Sequence, residues 1–166
     1  LGLIEISFRN YSKSFEYFMK ALKIRQKYFK CDHYLIANSY CYIGKIYRLQ
    51  GKYDKAKQYF DLALEIYLKN FEEIHPSLAK VYDNLGLVAR DQDQTQKALE
   101  YHFKSLKIRK EIFGKNHPSL SDSYNNIALA MRAQKRYDEA LTYYQKSVKL
   151  IIEGGYHPHE ATCYSN

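Results

Sequence analysis

The stretch Tyr40–Leu64, YCYIGKIYRLQGKYDKAKQYFDLAL, sets one glycine among aromatic residues at helical spacing, and then repeats the theme with alanines. Tyr40 and Tyr47 stand on the same helical face as Gly44, while Ala56, Phe60 and Ala63 make the matching face of a second segment. Gly51, in LQGKY, marks the turn between them. The reading is a helical hairpin. Glycine costs ~1 kcal/mol relative to alanine inside a helix, so Gly44 implies a close crossing where a bulky side chain would hold the backbones apart.

Working outward, the same unit recurs every 42 residues. Gly2, Gly44, Gly86 and Ala128 form one column, preceded by Leu1, Ile43, Leu85 and Ile127. The second segment repeats Ser14, Ala56, Ala98 and Ala140, then Phe18, Phe60, His102 and Tyr144, then Ala21, Ala63, Ser105 and Ser147. One hairpin cannot bury its own apolar face, but stacked neighbours can. The expected fold is therefore all-α, an α-solenoid of stacked antiparallel helical hairpins. Residues 1–30 should hold the end of a first helix and the second helix of repeat 1, followed by repeats over 31–72, 73–114 and 115–154. Residues 155–166 should begin a fifth repeat, as expected for a window of a longer array.

The tetrapeptide HPSL at His75–Leu78 returns at His117–Leu120 and invites a catalytic or metal reading. Helix punctuation explains it better, since Pro76 and Pro118 suit a first helical position, where a missing N–H costs nothing. His157, His159 and Cys163 lack the spacing of a closed tetrahedral set, so no metal is expected. His102, in an aromatic column, reads as a packed histidine. No glycine-rich phosphate loop, G-x-S-x-G or H-E-x-x-H is present, and neither enzyme nor cofactor is expected.

The order aromatic, x-x, Leu/Ile, Gly/Ala, then Ala, x-x-x, aromatic resembles the tetratricopeptide repeat, with Tyr40 in the tryptophan column. The 42-residue period, the His-Pro dipeptides and the Asn-Leu-Gly and Asn-Ile-Ala steps are similar to the long repeats of the kinesin light chain type. His33-Tyr34 in the place of His-Pro, and Ala89 and Thr95 in aromatic columns, depart from the pattern. The resemblance implies a right-handed superhelix whose first helices line a concave wall.

Bulk composition agrees with a globular protein: 46% hydrophobic and 27% charged. Cys31, Cys41 and Cys163 form no C-x-x-C pair and suggest neither zinc ribbon nor disulfide framework, so a reducing, cytoplasmic setting is expected, the cytoskeleton or a cilium included. No apolar run approaches the ~18 residues of a membrane span. The net charge of +8 would suit nucleic acid, but seven Lys/Arg against two Asp/Glu lie in residues 1–30, leaving no stripe along the array.

By the resemblance, the concave wall presents Lys45, Leu87 and Leu129, then Arg48, Arg90 and Arg132, with Asp83, Asn125, Asn84 and Asn126 beside them. Three arginines on successive helices would form a ladder of forked donors for carboxylates. Asn84 and Asn126 can hold a peptide backbone without reading its sequence, or tie neighbouring helices together. Leu87 and Leu129 would take an apolar anchor. The expected function is a non-catalytic scaffold that binds an extended acidic or mixed acidic and hydrophobic segment of a protein partner. Two alternatives stand beside it: a structural spacer in a large cytoskeletal or ciliary assembly using the convex face or the ends, and an RNA-binding helical repeat.

Overall fold

Three devices, each repeated at 42-residue intervals, write the helices into the chain: a histidine that starts the first helix, a left-handed residue that ends it, and a small residue that lets the second helix close on it. The computed structural model describes residues 11–153. It contains α1 (Tyr11–Tyr28), α2 (Tyr34–Leu49), α3 (Tyr53–Asn70), α4 (Pro76–Asp91), α5 (Thr95–Phe113), a 3-10 turn (Pro118–Leu120), α6 (Ser121–Ala133) and α7 (Tyr137–Glu153). The described residues contain no strand. Helices α2/α3, α4/α5 and α6/α7 pair as hairpins, and each following first helix packs on the preceding second helix. The expected start of a fifth repeat, with His157, His159 and Cys163, lies outside the described residues.

The histidine is the N-cap. His33, His75 and His117 each accept the backbone N–H two residues on through Nδ1, at 3.2 Å in all three, which satisfies one of the orphan donors of the first turn. Each ring also stacks on the phenylalanine four residues before it: Phe29 on His33 at 4.3 Å, Phe71 on His75 at 3.6 Å and Phe113 on His117 at 4.9 Å between centroids. Proline is optional, since Tyr34 begins α2 after the same cap. Pro76 opens α4 directly, whereas Pro118 opens a 3-10 turn before the α-helix. There Arg109 and the Ser147 hydroxyl take the carbonyls of Ser119 and Ser121, and the turn closes with a bond from Leu120 N to His117 O, 3.0 Å.

The first helices end alike. Gly51, Asp93 and Lys135 have φ of 74°, 59° and 61°, and the N–H of the next residue returns to the carbonyl five positions back: Lys52 to Tyr47, Gln94 to Ala89 and Arg136 to Met131. These are Schellman caps, which turn the chain sharply into the second helix. Only one of the three uses glycine.

At the crossing, a Cβ added to Gly44 would lie 3.0 Å from the Phe60 ring, and one added to Gly86 would lie 2.5 Å from His102 Cε1. Phe60 and His102 are fully buried, as are Ile43, Ala56 and Ala63 around the first of these contacts. In the next hairpin Ala128 is buried and Tyr144 packs at its edge.

A left-handed backbone costs a residue with a Cβ roughly 1–2 kcal/mol. Nothing lies within 4 Å of a Cβ built on Gly51, so its conformation alone sets the outcome there. We expect Gly51→Ala to destabilise by about 1 kcal/mol and Lys135→Gly to stabilise by about 0.5–1 kcal/mol in urea unfolding. Two neutral substitutions would remove this role for the turn.

Candidate protein-interaction groove

Successive first helices touch one another, α2 with α4 and α4 with α6, whereas successive second helices meet chiefly the first helix between them. The layer with the closer spacing is the inner side of a curved stack, so α2, α4 and α6 form its concave wall.

Between α2 and α4 lies a groove of about 340 Å³ lined by Asn38, Cys41, Lys45, Lys80 and Asn84, with Tyr67 rising from α3 into its floor. The Tyr67 hydroxyl donates to Asn38 Oδ1 at 2.6 Å and sits 3.8 Å from Cys41 Sγ. Burial pushes the Cys41 thiol up to about 11, partly offset by the Tyr67 bond and the charge of Lys80. It is a protonated small apolar group at neutral pH, not a nucleophile. Burial also raises the Tyr67 phenol, which stays neutral and serves as a donor. Lys45 and Lys80 are exposed and carry no ion pair among the described residues. Asn84 spends one N–H on the carbonyl of Lys80, at 2.8 Å within its own helix.

The arginine column is not a uniform ladder. Arg48 Nη1 reaches Asp91 Oδ2 at 2.7 Å and joins α2 to α4, while Arg90 Nη2, on the same helix as Asp91, reaches its Oδ1 at 3.0 Å, so two guanidinium groups share one carboxylate. These side chains are 18% and 29% exposed, which leaves them little freedom to turn toward a ligand. Arg132 on α6, followed by Ala133 where Arg90 is followed by Asp91, is exposed and has no acidic partner among the described residues. The sequence carried this signal, one residue after each arginine.

Asp83 has a structural task as well. Arg109 from α5 donates to its Oδ2 at 2.6 Å and to the carbonyl of Ser119 at 3.3 Å, tying one hairpin to the start of the next. His102 Nδ1 lies 3.6 Å from Asp83 Oδ1, and neither ring nitrogen has a hydrogen-bond partner among the described residues. His102 is thus a core residue, with no metal-ligating group of three or more around it among the described residues. Leu87 and Leu129 are half-buried on the wall, Asn126 is half-buried and Asn125 is exposed. Reasoning from first helices alone missed the column Arg25, Tyr67 and Arg109, which rises from the second helices to hold them. Arg25 donates to Leu35 O at 2.9 Å and Ser39 Oγ at 2.7 Å. Its signal was the 42-residue spacing itself.

Comparisons with known proteins agree with the fold. The tetratricopeptide repeat family model matches residues 1–69, 77–153 and 123–166. No curated protein matches. Among solved structures, BtubC (BKLC) from P. vanneervenii superposes with a TM-score of 0.82 at 22% identity over 95% of this chain, which spans 63% of BtubC. A kinesin light chain-type protein from Podosopora anserina with nearly identical TPR-like repeats gives 0.73 at 18% identity, covering 95% of this chain and 74% of that one. MamA gives 0.67 at 19%, with 95% and 78% covered. No described helix is long and apolar enough to cross a membrane.

The contrast between Cys31 and Cys41 gives a direct check on the groove floor, because Cys31 is exposed and Cys41 is not. Iodoacetamide at pH 8, followed by peptide mass spectrometry, should alkylate Cys31 well before Cys41, with Cys41 catching up only as pH approaches its raised value of about 11. Equal rates at pH 8 would mean that the Tyr67 floor is open.

Proposed function

The chain belongs to the tetratricopeptide repeat family, whose arrays are protein-interaction scaffolds, and from that premise we propose that its concave groove binds an extended acidic segment of a partner protein without catalysis. The observation that carries this reading is the pair Lys45 and Lys80, two ammonium groups with no ion pair among the described residues, flanking Asn38, Asn84 and the Tyr67 hydroxyl. Lysines supply attraction for carboxylates, and asparagines supply a donor and an acceptor for an extended backbone. Arg132 and Asn125 would continue the contact on α6, with Leu87 and Leu129 beside them for an apolar side chain. Arg48 acts in this scheme chiefly by holding α2 against α4 through Asp91, a carboxylate that Arg90 shares from within α4.

A continuous basic track for RNA is not favoured, because acidic side chains interrupt the wall at Asp83, Asp91 and Asp122. The compartment proposed is the cytoplasm, where thiols such as Cys31 stay reduced.

The test is the affinity of a synthetic extended acidic peptide with one aromatic residue, measured by titration calorimetry. Lys45→Glu with Lys80→Glu should weaken binding about tenfold or more, as should Arg132→Glu when the peptide is long enough to reach α6, with far-ultraviolet dichroism unchanged. Unchanged affinity in both variants would move the binding face elsewhere.

A further inference from the structure

The outer face carries grooves of its own at two junctions between second helices. The groove between α3 and α5, about 510 Å³, is floored by Leu78 and Tyr82, and a groove of about 270 Å³ lies between α5 and α7 over Tyr124 and Leu150. They are the same groove shifted by 42 residues: Lys104, Lys107 and Glu111 of one correspond to Lys146, Lys149 and Glu153 of the other. Three positions differ in kind. Where the first has Leu68, Glu73 and Ile74, the second has Lys110, Lys115 and Asn116. The first groove is balanced, with two lysines and two glutamates, while the second holds four lysines and one glutamate.

The ammonium groups are positioned. Lys110 Nζ lies 5.5 Å from the Tyr124 ring centre and Lys146 Nζ lies 4.9 Å from that of Tyr143, so the stems pack along aromatic surface and the charges sit at the mouth. Lys149 faces Glu153 at 3.6 Å, but Lys110, Lys115 and Lys146 have no carboxylate partner among the described residues. Lys104 and Lys107 remain exposed although a further hairpin follows them, so stacking another repeat after α7 need not cover Lys146 and Lys149.

We propose that this outer groove between α5 and α7 is a second docking site, for a short acidic segment of a partner protein. Charge complementarity names the occupant's chemistry. Confinement to one junction names its size, since the neighbouring groove is neutral and a polyphosphate backbone would need the positive charge to continue. The site is independent of the concave groove and faces the opposite way.

Amide chemical shifts of the isotope-labelled 166-residue chain, titrated with a hexaglutamate peptide, test this assignment. Shifts should appear around Lys110, Lys115 and Lys146, and Lys110→Gln with Lys146→Gln should weaken the interaction about fivefold or more, with helicity unchanged. Lys104→Gln with Lys107→Gln removes the same charge from the balanced groove and should change it less than about twofold. Equal losses in the two pairs would overturn the proposal as a net-charge effect. Shifts confined to Lys45 and Lys80 would overturn it while leaving the concave reading intact. An oligothymidylate of equal charge that binds more tightly at the same lysines would overturn it in favour of nucleic acid.

Discussion

A ring pressed against a glycine closes each central hairpin. Phe60 on Gly44 and His102 on Gly86 leave no room for a single added carbon without displacement, and the surrounding core is arranged about these contacts. Everything else in the repeat serves that approach. The histidine cap fixes where the first helix begins, the left-handed residue fixes where it ends, and together they set the phase that brings the small residue opposite the ring. A shift by one position would rotate it ~100° away from the ring.

Much of this was legible in the sequence, because close packing constrains residue size and size recurs in columns. Gly44, Gly86 and Ala128 gave the crossing, and Pro76 marked a helix start. The role of His75 was less legible: its ring is both the cap and the stacking partner of Phe71, and only the repeated Phe29, Phe71 and Phe113 hinted at that. Asp93 and Lys135 concealed their left-handed turns, since neither residue announces a positive φ as Gly51 does. Pro118 opens a 3-10 turn where Pro76 opens an α-helix, although the same histidine cap precedes both.

The candidate site was legible in position and less so in charge. First-helix columns located the wall, but pairing depends on neighbours that column reading treats separately. Asp91 takes up Arg48 and Arg90, and Asp83 takes up Arg109, so the residues with the most conspicuous charge are partly spent on one another, within a hairpin or between two. Lys45, Lys80 and Arg132 keep theirs. The outer face shows the same logic in reverse: one groove neutralises itself, and its copy a repeat later does not. A period that builds the core leaves the surface columns open to vary, and that variation can give each face a separate partner chemistry.

The most direct test of the central claim is a double-mutant cycle between Gly86 and His102 in urea unfolding. Gly86→Ala alone should destabilise by about 1–3 kcal/mol through overpacking, despite alanine's better helix propensity. In a His102→Ala background the same change should cost far less, giving a coupling of about 1 kcal/mol or more between two residues in contact. Additive effects would mean that the ring does not rest on the glycine, and the register built on that contact would be wrong.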